Sequence, residues 1–129
     1  MVKLSKKALK IIEGKNFAHL ATLMKDGSPQ VTPIWVDHDG DFILVNTAEG
    51  RLKLRNVSRD PRVAISITDQ KDPYTMVAIR GKAVSITTKG ADEHIEKLSI
   101  KYLGRKYPWR SPGQKRTIIK IRPEHVLQD

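Results

Sequence analysis

QVTPIWVDHDGDFILVNTAEGRLKLRNVSRDP, residues 30–61, decides the fold of this chain. Val31, Pro33 and Trp35 alternate with Thr32, Ile34 and Val36, the period of two that a β-strand imposes on its side chains. Pro33 cannot donate a ladder hydrogen bond, which predicts an edge or bulged position for this strand. His38-Asp39-Gly40-Asp41 turns the chain into a second apolar strand, FILVNT, residues 42–47. Residues 49–59 have helical composition between Gly50 and Asp60-Pro61. Leu52, Asn56 and Val57 are the positions expected to face inward.

The rest of the chain follows the same grammar. Ser5 is placed to cap a helix through Ala8, Leu9, Ile11 and Ile12, with Gly14 as its stop. Residues 17–24 are β-like and end in Lys25-Asp26-Gly27-Ser28, a tight-turn signal. Residues 62–69 form a β-branched strand, and residues 75–87 a long one in which Gly81 predicts a bend or bulge. Asp92 can cap a helix through Ile95, Leu98 and Tyr102, ended by Gly104. A loop rich in Pro, Gly and Arg (105–115) precedes a last strand, residues 117–121, which Pro123 is expected to close. About six strands linked mostly by short turns, without βαβ alternation, predict a largely antiparallel sheet. The fold class is therefore mainly β: a small closed or partly open β-barrel with accessory helices, in one domain over residues 1–129.

The chain carries 24 Lys and Arg against 14 Asp and Glu, a net charge of +10. This favours anionic partners such as phosphorylated cofactors, nucleic acid or acidic surfaces. The basic residues are spread along the whole length, which a solubilising surface also explains. The absence of cysteine excludes disulfides, thiolate metal sites and a cysteine nucleophile. No apolar run is long enough to span a bilayer, and the basic N-terminus reads as an amphipathic helix, not a leader. A soluble cytoplasmic protein is expected.

Self-sufficient catalytic machinery is missing. His19, His38, His94 and His125 are scattered without metal-ligand spacing on a common element. Ser28, Ser66 and Ser85 lack an elbow or triad context. Asp37, Asp39 and Asp41 resemble part of a calcium loop, but no glutamate closes it and turn formation accounts for them. No glycine-rich phosphate loop is present. The expected metal is therefore none, no catalytic side chain is assigned, and chemistry would be supplied by a bound cofactor.

Its seat is expected at Asn46–Lys53. The Thr47 hydroxyl, the N–H groups of a starting helix, Arg51 as a bidentate fork and Lys53 as a point charge suit a phosphate. An ordinary solvated helix rich in Lys and Arg explains the same residues. The strand around Pro33-Ile34-Trp35 suits a flat heteroaromatic ring, with Trp35 as a core or dimer-interface residue the competing reading.

These residues carry a resemblance. FAHLATLMKDGSPQVTPIWVDHDG, VNTAEGRLKLRNVSRDPRVAISI and VAIRGKAV, with KYLGRKYPW and KRTIIKI further on, resemble the pyridoxamine 5′-phosphate oxidase-like FMN-binding split-barrel superfamily. The likeness is strongest to its short deazaflavin (coenzyme F-420)-dependent branch. It implies a six-stranded antiparallel split β-barrel, a homodimer with two cofactor sites at the interface, and FMN or coenzyme F-420 as cofactor. Residue by residue, it implies that Arg51 and Lys53 hold the cofactor phosphate, with Asn46, Thr47 and Ala48 at the strand end beside it. Pro33, Ile34 and Trp35 would line the ring, and Tyr74 would reach the site from the second subunit. Asn56 would fix the helix, while Arg55 and Arg59 are read as surface.

The activity implied is hydride transfer between the bound cofactor and a small organic substrate. The chain departs from true pyridoxamine 5′-phosphate oxidases in lacking their C-terminal substrate-phosphate segment, so vitamin B6 synthesis is not expected. The loop 106–115 is shorter than in many deazaflavin relatives. Two alternatives stand beside this reading. One is a non-catalytic flavin- or haem-binding split barrel. The other is a basic nucleic-acid-binding β-barrel, which an aromatic content of 5% does not favour.

Overall fold

The computed structural model describes residues 2–128. Its elements in chain order are α1 (Lys6–Glu13), β1 (Ala18–Leu23), β2 (Pro29–Ile34), β3 (Asp37–Asp39), β4 (Phe42–Ala48), α2 (Leu52–Arg59), β5 (Arg62–Thr68), β6 (Met76–Thr87), α3 (Ala91–Leu103) and β7 (Arg116–Gln128). The strands form one antiparallel sheet in the order β2-β1-β5-β6-β7-β4-β3.

The sheet has seven strands where six are expected. The stretch read as one strand from Gln30 to Asp37 breaks at Trp35-Val36 into β2 and β3, which lie at opposite edges of the sheet. Two residues cannot separate the edges far. The sheet must therefore curl until its edges approach, without a ladder between them: a barrel split where Trp35 sits. Pro33 is on the edge strand β2, paired only with β1, as its missing N–H requires.

Inside the curl, Leu20, Ile43, Val45, Ile65, Ile67, Val77, Ile79, Ile119 and Ile121 are buried from successive strands. Helix α1, capped by the Ser5 hydroxyl accepting from Ala8 N, adds Ala8, Ile11 and Ile12. Pro123 does not close the last strand. β7 continues to Gln128, with Pro123 set opposite Gly81 at a bulge where its missing donor costs no regular ladder bond. A Cβ on Gly81 would overlap the Arg122 carbonyl, so this crossing needs glycine.

Helix α2 starts at Leu52, three residues later than the composition suggests, and buries Leu54, Asn56 and Val57. Asn56 fixes it to the sheet by donating to Thr22 Oγ1 at 3.0 Å. Arg59 is exposed but not idle, donating to Leu23 O and to Asn56 Oδ1, both at 3.1 Å. Helix α3 starts behind a left-handed Gly90 instead of an Asp92 cap, ends at a left-handed Gly104, and lays Ile95 and Leu98 against the sheet near β4 and β7. Among the described residues no helix is long and apolar enough to cross a membrane.

Candidate functional site

A cavity of about 430 Å³ opens at the split, between β2, the end of β4, the start of α2, α3 and the loop before β7. Of the residues expected at the site, Pro33, Ile34, Trp35, Asn46, Thr47, Arg51 and Lys53 all line it. Ala48 does not. It is buried at the end of β4, and its carbonyl accepts from Arg51 N at 3.2 Å, which shapes the turn into α2. Tyr74, expected at the cavity of a second subunit, is 88% exposed on the loop before β6.

The sequence singled out the loop 106–115 but assigned no residue of the other wall. Tyr107 and Trp109, from the loop before β7, and Arg116, the first residue of β7, face the same cavity, with Phe17, Ile95 and Leu98 completing its apolar surface. A loop with two aromatics and an arginine-headed strand was the available signal. Only the tertiary fold brings them onto Trp35. Trp35 stacks on Tyr102 at 5.2 Å between centroids and 4° between planes, and meets Tyr107 edge-on at 6.0 Å. Tyr107 and Trp109 are themselves edge-on at 5.6 Å. Such pairs contribute about 0.5–1.5 kcal/mol each beyond burial, and they give the cavity an aromatic wall.

The cavity is also cationic. Arg51, Lys53 and Arg116 line it, and none lies within ion-pair distance of a carboxylate among the described residues. Burial, then the charges of Arg51 and Arg116, push the Lys53 ammonium below its ordinary range. Burial likewise lowers Arg116, opposed by Tyr107 and reinforced by Arg51. The first turn of α2 carries no acidic residue and no side-chain cap, yet Lys53 stands in it and Arg51 immediately precedes it. Positive charge at a helix N-terminus opposes the macrodipole. Three cations beside N–H groups that no side chain caps suit an anion between them.

A partly buried polar chain leads from Arg116. Arg116 Nε donates to Asn46 Oδ1 at 2.8 Å, and Asn46 Nδ2 donates to Ala91 O at 2.9 Å and lies 3.1 Å from His94 Nδ1. His94 Nε2 lies 3.1 Å from Asp37 Oδ2. His94 is thus a satisfied buried histidine, as the sequence suggests, while Asp37 does more than form a turn. The described residues contain no cluster of His, Cys, Asp and Glu able to hold a metal.

The family model for pyridoxamine 5′-phosphate oxidase matches residues 4–128. The chain belongs to the pyridoxamine 5′-phosphate oxidase family. That family binds flavins, and its members include oxidoreductases. Solved structures similar to this member include one named F420 reductase, 29% identical over 96% of this chain and 98% of that one, with a TM-score of 0.84. General Stress Protein 26 from Bacillus anthracis is 20% identical over 95% and 91% of the two chains, at a TM-score of 0.72. HupZ from Group A Streptococcus is 20% identical over 97% and 93%, at 0.69. The last two show the shared fold alone. The split barrel expected from the resemblance is thus the fold observed, with one more strand than expected.

Proposed function

We propose that this member of the family is an oxidoreductase that binds FMN or coenzyme F-420 in the cavity at the split and transfers a hydride between it and a small organic substrate. The observation that carries this reading is the make-up of one cavity: stacked aromatics together with three cations free of carboxylate partners and a helix N-terminus. A flat ring joined to a phosphate asks for both kinds of lining. Arg51 and Lys53 hold the phosphate, with Thr47 and the α2 N–H groups beside them; Pro33, Ile34 and Trp35 line the ring. The bound ring supplies the hydride chemistry. The protein's part is to bind, orient and keep water out. No carboxylate or imidazole lines the cavity, so no side chain here is assigned as acid or base.

The likeness to the protein named F420 reductase supports the deazaflavin version of this reading. A haem-sequestering role is less well supported. His94, one hydrogen bond behind Asn46, has both ring nitrogens engaged and is not free to ligate iron.

We further propose a homodimer. The outer face of β1, β5, β6 and β7 forms a shallow, mostly apolar depression of about 860 Å³ lined in part by Ala21, Ala64 and Ala78. Val31 and Leu127 also line it, 58% and 69% exposed. A second copy of the chain would cover that face and could bring its own Tyr74 to the cavity.

Side-by-side equilibrium titration of FMN, riboflavin and coenzyme F-420, with light scattering of the free protein, tests both statements. Micromolar or tighter binding of one phosphorylated cofactor, with riboflavin much weaker, is the expected result. Failure of all three to bind overturns the reading. A monomer in solution overturns the dimer.

A further inference from the structure

We propose that Asp37, His94 and Asn46 form a positioning chain for Arg116, and that Arg116, so held, is the third cation of the anion seat. This inference rests on the cofactor reading above and extends it to residues that neither Arg51 nor Lys53 touches.

The direction of the chain is determined from both ends. An arginine Nε only donates and a backbone carbonyl only accepts. With Arg116 Nε on Asn46 Oδ1 and Ala91 O on Asn46 Nδ2, the amide has one possible orientation. The amide nitrogen therefore faces His94 Nδ1, which must accept, and the imidazole proton sits on Nε2, where it donates to Asp37 Oδ2. Asp37 is held in turn by the His38 N–H on Oδ1 at 2.9 Å and by Lys97 Nζ 3.3 Å from Oδ2. Burial works to raise the Asp37 carboxyl, but hydrogen bonds from His94 and His38 N, with the charge of Lys97, outweigh it and keep the group ionised far below the ordinary range.

Three groups, from β3, α3 and β4, thus lead to one guanidinium on β7. Arg116 is only 5% exposed, faces the cavity, and has Nη1 buried with no hydrogen-bond partner. Its charge is not balanced by any carboxylate at ion-pair distance among the described residues. A buried, unpaired guanidinium is costly, and the Tyr107 ring 5.4 Å away compensates only in part. A chain that only tied elements together would not need to terminate on an uncompensated charge. A phosphate or phosphodiester shared with Arg51 and Lys53 supplies the missing partner.

The test is a double-mutant cycle read with ligands that do and do not carry phosphate. Arg116→Gln is expected to weaken FMN by about 10–100-fold and riboflavin by less than about twofold. His94→Phe is expected to weaken FMN by about tenfold with riboflavin unchanged, and to add nothing in the Arg116→Gln background. Asp37→Asn serves as the milder second variant if His94→Phe does not fold. Equal loss of FMN and riboflavin, or additive effects of the two substitutions, overturns the chain. If wild type binds no flavin or deazaflavin, the cofactor reading fails by itself. Inorganic pyrophosphate, followed by thermal shift, then tests the seat: stabilisation lost in Arg116→Gln and reduced in His94→Phe supports it, and no stabilisation of wild type overturns it.

Discussion

The Trp35 indole lies parallel to the Tyr102 ring, 5.2 Å away, while the Tyr102 hydroxyl accepts from Val36 N at 3.1 Å and donates to Asn16 O at 2.7 Å. The side chain that walls the cavity is therefore backed by a ring whose polar end ties α3 to the break between β2 and β3 and to the loop after α1. Shape at the split is set from behind.

Tyr102→Phe keeps the stack but leaves Val36 N–H and Asn16 C=O without that partner. It is expected to cost about 1–3 kcal/mol of stability and to change ring binding little. Urea denaturation and riboflavin titration check this. Unchanged stability would falsify the bridging role.

Arg51→Ala and Lys53→Ala should each weaken binding of the phosphorylated cofactor by about 1–3 kcal/mol. Both changes also remove a charge that opposes the α2 dipole, so the empty protein should become more stable by about 0.3–1 kcal/mol. Loss of affinity with gain of stability is the signature. A loss of both in either variant points to a structural cation instead.

Lys53 has a depressed pKa in the empty cavity, and a bound anion raises it again. The sign follows by linkage: above the depressed value the free protein must take up a proton to bind, so affinity falls as pH rises through the alkaline range. Titrations at increasing pH should show this decline in wild type and lose it in Lys53→Arg.

Lys101 and Tyr102 are neighbours with opposite pH signatures. Burial lowers the Lys101 ammonium from 10.5 to about 8, although it donates to Ile12 O and Val36 O. Between those values the unfolded chain holds more protons, so stability rises with pH from about 8 to 10.5. Burial raises the Tyr102 phenol from 10.0 to about 12, and there the folded chain holds more protons, so stability falls from 10.0 to about 12. Denaturation midpoints should rise and then fall across this range. Lys101→Met should remove the rising limb.

Gly81→Ala forces a methyl onto the Arg122 carbonyl at the bulge between β6 and β7. Overpacking there is expected to cost about 1–3 kcal/mol, visible as a lower denaturation midpoint.

Local signals determined much of this protein by themselves. Apolar and β-branched runs between turn signals set β1, β4 and β5, Gly14 and Gly104 marked the helix ends, and Pro33 required an edge. The cations at 51 and 53 were legible because they lie beside a strand end and a helix start, within a few residues of each other.

What only the tertiary structure decided lies far apart along the chain. The break at Trp35-Val36 has no local breaker residue; the curl of the sheet imposes it by sending β2 and β3 to opposite edges. Asp37 finds His94 across 57 residues, and Arg116 finds Asn46 across 70. Alternation and capping report a residue's own element and its immediate neighbours. Which charges end up facing one another depends on strand order and on where α3 lands, and those are properties of the folded sheet.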